Sequence, residues 1–169
     1  MAINSKAKGD KFERKIAKLL SQRFNSFLNK EEAFIRNMGS GARFGGKNQN
    51  RARGIMDDKL DVGDIVVPTN FKFNIECKHY KESPKFKSIV ESNIAMWNNW
   101  IEQATQDRLT SNKHAFIIVI KYNLVKEIVI LDSILMEEFK DNILVIYKNT
   151  YPVILLEDFL LKEDKWYFK

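Results

Sequence analysis

An α/β or α+β sheet flanked by helices is the fold class that this 169-residue sequence predicts, and three patterns carry it. Apolar residues recur at helical spacing over residues 8–27 and again over about 88–108. Short runs rich in Ile, Val, Phe and Tyr lie between and after those stretches. Their order, helix then strands then helix then strands, describes a sheet with helices packed on it. No repeat and no shift of composition marks a second domain, so residues 1–169 are expected to form one domain with its own core.

The first helix is expected over 8–27. Phe12, Ile16, Leu19, Leu20, Phe24 and Phe27 form its apolar stripe, and Lys11, Arg14, Lys15, Lys18 and Arg23 its outer face. Asp10 suits the first turn, where a carboxylate complements the helix dipole, and Glu13 lies beside the stripe. A short strand follows at 33–36. Residues 37–54, NMGSGARFGGKNQNRARG, hold five of the seven glycines and no acidic residue, so they cannot build a core and read as a basic loop. Backbone around Gly39, Ser40 and Gly41 can approach phosphates closely, although no GK[ST] follows and a Walker loop is not indicated. Arg36, Arg43, Lys47, Arg51 and Arg53 are candidate contacts to a phosphate backbone.

The second helix, at about 88–108, presents Ile89, Ile94, Met96, Trp97, Trp100, Ile101 and Ala104. Core packing is the favoured role of Trp97 and Trp100, with a dimer surface or base stacking as alternatives. HAFIIVIKY (114–122) is nearly continuous in apolar residues, as a strand covered on both faces should be, and EIVILD (127–132) pairs naturally with it. DSILMEEFK reads as a short helix capped by Asp132 or Ser133. ILVIY and YPVILL make a last strand pair before a helical EDFLLKED.

Composition narrows the function. A single cysteine excludes an internal disulfide and, with only two histidines, a multi-cysteine zinc site. No apolar run approaches the roughly 18–20 residues that span a bilayer, and MAINSKAKGDKFERK has no signal-peptide core, so an intracellular, cytoplasmic protein is expected. The net charge of +6 is uneven: residues 1–53 carry 13 Lys or Arg against four acids, a balance of +9, and the remainder is at −3. A basic end on a nearly neutral body favours a polyanionic partner, nucleic acid ahead of a membrane surface.

The most informative stretch is GDIVVPTNFKFNIECK, residues 63–78. Read as a strand, Phe71, Phe73, Ile75 and Cys77 share one face, and Lys72, Asn74, Glu76 and Lys78 the other. The turn-like PTN at 68–70 would fold Asp64 back towards Glu76 and Lys78 in a hairpin. Two carboxylates with an ammonium suit a hard-cation site with a cationic helper, and Mg²⁺ so held neutralises a phosphate and activates water. Asp64 and Glu76 are the candidate ligands, with the Cys77 carbonyl as a third and Glu13 joining directly or through water. Lys78 would orient or help deprotonate the attacking water and stabilise developing charge, and His79 could reach a phosphate. A Glu–Lys pair on an exposed strand is also a common surface feature that does nothing.

The set GD-x₁₁-E-C-K, preceded by GDKFERKIAKLL, resembles the PD-(D/E)xK nuclease superfamily, and within it the archaeal and phage Holliday-junction-resolvase-like endonucleases. The likeness covers about residues 8–105, with Glu13 at the place of that family's helical glutamate, Asp64 at the metal-binding aspartate, and Trp100 and Gln103 in the helix that packs near the site. Gly63 stands where the superfamily's name has proline. The resemblance implies a three-layer α/β/α, restriction-endonuclease-like core with a central mixed sheet, dependence on Mg²⁺ or Mn²⁺, branched or junction DNA as substrate with Gln103 near it, and a homodimer. A chain this short leaves little room for a recognition domain, which favours reading DNA shape and backbone over base sequence. A restriction- or repair-type endonuclease on the same fold and a non-catalytic nucleic-acid-binding module are the alternatives.

Overall fold

The computed structural model describes residues 5–37 and 62–169, and its architecture follows from alternation along a few strands. Helix α1 (Ser5–Leu28) buries Phe12, Ile16, Leu20 and Phe24, one residue per turn along a single stripe. Ser21 is buried beside this stripe: its hydroxyl donates to the Phe34 carbonyl at 3.1 Å and accepts from the Phe34 amide at 3.0 Å, tying the following chain to the helix. Arg23, expected on the solvent face, instead reaches the Leu160 and Lys162 carbonyls and the Asp164 carboxylate, which fastens the C-terminal segment to α1.

Strand β1 (Ile35–Arg36) pairs antiparallel with β2 (Ile65–Val66) in a small two-stranded ribbon. This corrects the expected hairpin. The turn does form, with the Phe71 amide bonded to the Pro68 carbonyl at 2.9 Å, but β2 makes its ladder with β1. Strand β3 (Phe73–Tyr80) then runs parallel to β4 (Ala115–Tyr122), in register from Phe73 opposite Ala115 to Tyr80 opposite Tyr122. Strands β5 (Ile128–Leu131), β6 (Val145–Tyr147) and β7 (Tyr151–Leu155) complete a mixed five-stranded sheet in the order β3-β4-β5-β7-β6.

The β4 sequence shows why the sheet has helices on both faces. Ala115, Ile117 and Val119 enter the core beneath α1, while Phe116, Ile118, Ile120 and Tyr122 enter a second core on the other side. That second core is closed by Trp97, Trp100, Ile101 and Ala104 of helix α3 (Ala95–Ser111). The three-layer α/β/α arrangement with a mixed sheet is therefore present, and both tryptophans belong to the core.

The single helix expected at 88–108 is two: α2 (Phe86–Val90) and α3. Ser92 adopts a left-handed φ of 52°, and the Tyr147 hydroxyl accepts from the Ile94 amide at 3.0 Å and donates to its carbonyl at 3.2 Å. A side chain some fifty residues away thus fixes where α3 begins, which no local periodicity encodes. DSILMEEFK forms two 3₁₀ segments, Ser133–Leu135 and Glu137–Asn142, the first capped by Asp132 accepting from the Ile134 amide at 3.4 Å. Helix α4 (Leu156–Phe159) and a 3₁₀ turn at Asp164–Tyr167 bring Phe159, Tyr167 and Phe168 into the α1 core around Phe24, Phe71 and Phe73. Among the described residues no helix is long and apolar enough to cross a membrane.

Candidate active site

Strand β3 forms one edge of the sheet, and its polar row meets groups from α1, β1 and α3 there. Glu76 and Lys78 lie two residues apart on the α3 face, while Cys77 between them is buried in the α1 core. Asp64 is clipped to the same edge twice. Its amide donates to the Ile75 carbonyl at 2.9 Å, and its Oδ2 accepts from the Cys77 amide at 2.9 Å.

That clip depends on Gly63, whose φ of +93° proline cannot adopt. A Cβ there would meet Asn74 Oδ1 at 2.7 Å and the Ile75 carbonyl at 2.9 Å. Glycine at this position is therefore dictated by the close approach of this turn to β3. Asn37 secures the other side, its Nδ2 donating to the Gly63 carbonyl and its amide to the Asp64 carbonyl, both at 2.9 Å.

Lys78 Nζ stands 2.8 Å from Glu76 Oε2 and 3.7 Å from Asp64 Oδ2, one cation between two carboxylates. Glu76 is only 1% exposed, and among the described residues its Oε1 meets no N–H or O–H donor. Burial, with the Asp64 charge adding and Lys78 opposing, pushes the Glu76 carboxyl up to about 8. Burial works against the Lys78 charge as well, yet the charges of Glu76 and Asp64 and the bond to Glu76 hold its ammonium above the ordinary lysine value. Without a metal, Lys78 thus stays charged, and Glu76 also holds its proton at pH values below its raised pKa.

Glu13 arrives from α1 at this edge and feels the charge of Asp64. Arg36 holds it, with Nε 2.6 Å from Glu13 Oε2 and Nη2 2.7 Å from Asp10 Oδ1. Burial raises the Glu13 pKa and the Arg36 bond draws it back, leaving it above its usual value. From α3, Gln103 Nε2 donates to Glu76 Oε2 at 3.4 Å. Asp107, one turn further, is half-buried near the same charges, and burial raises its pKa too.

Glu13, Asp64, Glu76, Lys78 and Gln103 therefore gather at one place. Arg36 is there too, engaged with Asp10 and Glu13. His79 sits apart on the α1 face, its ring 5.6 Å from Phe12 and its Nε2 3.4 Å from Asn123 Oδ1. Ser40, Arg43, Lys47, Arg51 and Arg53 lie outside the described residues. Asp10, Asn37 and Asp107 are the additions that sequence reading missed. Helical spacing offers two of them, since Asp10 precedes Glu13 by three residues and Asp107 follows Gln103 by four.

Whether the group fits a metal turns on its donors. Among the described residues no three His, Cys, Asp or Glu side chains converge as a ready cage. Mg²⁺ does not require one, because it commonly takes one or two protein carboxylates and completes its shell with water and substrate phosphate. Asp64 and Glu76 are such a pair of hard oxygen donors, and Glu76 Oε1, which meets no N–H or O–H donor among the described residues, is a buried acceptor that a cation would satisfy. The residues fit.

In comparison with protein families, residues 4–162 match a family described as phage putative PDDEXK endonuclease. No curated protein and no solved structure matches the chain.

Proposed function

The chain belongs to this family of phage PDDEXK endonucleases, and on that premise we propose that it is a metal-dependent, structure-selective DNA endonuclease of junction-resolvase type. The observation that carries the reading is Lys78 lying between Asp64 and Glu76, beside a buried carboxylate oxygen that meets no N–H or O–H donor among the described residues. A purely structural ion pair has no use for a second acid and such an acceptor, whereas a site for cation and phosphate has use for both.

Asp64 and Glu76 hold Mg²⁺ or Mn²⁺ in this reading, with the Cys77 carbonyl and Glu13, directly or through water, as further donors. Bound there, the ion supplies charge neutralisation at the phosphate and a more acidic water. The chain's own groups do the rest. Lys78, protonated and tethered to both acids, donates to the attacking water or to a phosphate oxygen as charge develops. Gln103 steadies the Glu76 carboxylate from α3, and the backbone clip from Ile75 and Cys77 keeps Asp64 from turning away. Arg36 fixes Glu13 against the site. Ser40, Arg43, Lys47, Arg51 and Arg53 serve as contacts to the DNA backbone, His79 on the far face of β3 does not, and a homodimer places two such centres on two strands.

The test is a cleavage panel of four-way junction, flap, single-stranded and duplex DNA with Mg²⁺ and with Mn²⁺. Branched substrates should be cut, and Asp64→Ala or Glu76→Ala should lower the rate at least about a hundredfold while DNA binding in EDTA survives. Defined cuts at one short duplex sequence would mean a restriction-type enzyme instead. Binding without any cleavage by the wild type would mean a module that kept only the fold.

A further inference from the structure

The polar row of β3 does not end at Lys78. Tyr80 is the next residue on that face and is 43% exposed, its ring resting on Trp100 of α3 with centroids 5.2 Å apart. Trp100 itself is buried, so the indole is a floor and the tyrosine a ring laid over it beside the site. The chain then leaves the sheet and forms α2, which has no buried residue at all. Phe86 is 80% exposed and Val90, one turn on, 62%. Lys81, Lys85 and Lys87 bracket these side chains and are exposed as well. Lys81 lies 3.8 Å from Glu82 and Lys87 3.6 Å from Glu91, exposed pairs that hold the lysines only weakly.

Helix α2 packs Ile89 against the core of α3 and leaves the Phe86 ring outside it. Leaving such a ring in water forgoes its transfer free energy, which a ligand with an apolar flat face can recover. Exposed aromatic rings interspersed with lysines between the end of β3 and α2 match the surface that single-stranded nucleic acid uses, bases on rings and phosphates on ammonium groups. A second copy of this chain suits the surface less well, because a two-fold contact here would bring three lysines against three lysines.

We propose that the surface from Tyr80 to Val90 binds the unpaired, single-stranded part of the DNA substrate, with Tyr80 and Phe86 as stacking rings and Lys81, Lys85 and Lys87 on the phosphates. The strand carrying Glu76 and Lys78 leads directly into this track, so a nucleotide next to the scissile phosphate passes onto Tyr80. The proposal deepens the nuclease reading and rests on it: it gives that site a reason to prefer DNA with an unpaired segment over plain duplex.

Fluorescence anisotropy in EDTA, with a labelled single-stranded oligonucleotide, a flap and a duplex, tests it. Phe86→Ala, an exposed position with little bearing on folding, should weaken single-strand and flap binding about tenfold and duplex binding less than twofold. Tyr80→Ala should do the same and Tyr80→Phe should restore binding. The double variant Lys85→Ala and Lys87→Ala should flatten the salt dependence for single strands by about 1.4 in log–log slope. Equal losses on all three DNAs, or none in Phe86→Ala, would overturn the track. So would a shift of oligomeric state in Phe86→Ala with DNA binding intact, which would make this face a contact between copies. If the wild type neither binds nor cuts any DNA, the nuclease reading itself fails; if it cuts and these variants bind normally, only the track does.

Discussion

Glu76 carries the pH behaviour of the metal-free protein. Its folded pKa of about 8 lies above the ordinary 4.5, so between those values the fold keeps a proton that the unfolded chain releases. Stability should therefore fall as pH rises through that window, by up to a few kcal/mol. Burial raises Glu13 and Asp107 in the same direction, whereas the Lys78 shift acts only above its usual 10.5. Urea melts in EDTA at pH 5, 6, 7 and 8 should show the decline, and Glu76→Gln, which cannot ionise, should flatten most of it. For the same reason, cation binding near pH 7 should release a proton, visible by calorimetry in buffers of different ionisation enthalpy. Gly63 is the other single residue on which the site depends. Gly63→Ala should lose about 1–3 kcal/mol from its positive φ alone, with the Asn74 clash added, and denaturant melts would register it. A variant as stable as wild type would remove the strain argument.

At the scale of elements, α3 connects core and site. Trp97 gives its indole N–H to the Tyr122 hydroxyl at 2.9 Å and packs edge-on against Tyr147 at 5.1 Å. Trp97→Ala should cost about 3–5 kcal/mol and loosen the helix that carries Gln103 towards Glu76. Thermal melts would show the first effect and weakened cation affinity the second. The C-terminus of α3 offers the opposite sign. Asn112 caps it in a left-handed conformation with φ 53° and ψ 37°, where glycine has no Cβ penalty, so Asn112→Gly should stabilise by up to about 1 kcal/mol. Arg36 joins β1 to α1 through Glu13 and Asp10 with all three side chains partly buried. Arg36→Ala should cost about 1–3 kcal/mol and slow cleavage. If its loss instead lowered only the salt slope of DNA binding, a phosphate contact would be the better role.

For the molecule as a whole, charge and layers have separate jobs. The sheet, covered by α1 on one side and α3 on the other, supplies a rigid edge on which acids can be held close together at the cost of their solvation. The excess of +9 in residues 1–53 lies on the chain that passes through α1 and β1, both of which reach that edge. DNA affinity should fall steeply between 50 and 200 mM salt, and replacing Arg43, Arg51 and Arg53 together should reduce the slope by about 2.7 on duplex. An unchanged slope would move the DNA interface elsewhere on the surface.

Much of this was legible before any coordinates. The helical stripe of α1, the two-faced β4 and the alternation that sets Glu76 beside Lys78 all follow from local periodicity, which a chain expresses wherever its neighbours lie. That Asp64, Glu76 and Lys78 would meet was legible too, from the strand alternation and the turn at 68–70. Partner choice between distant segments was not. β2 pairs with β1 rather than β3, Tyr147 breaks the expected second helix, and Arg36 meets Glu13 from 23 residues away. Each is a competition among contacts of similar local merit, decided by which side chains the packed layers bring within reach. The sequence by itself determined which polar residues share the edge of β3, and the tertiary structure decided their electrostatics, by burying Glu76, placing Lys78 between two acids and turning Gly63 against that edge.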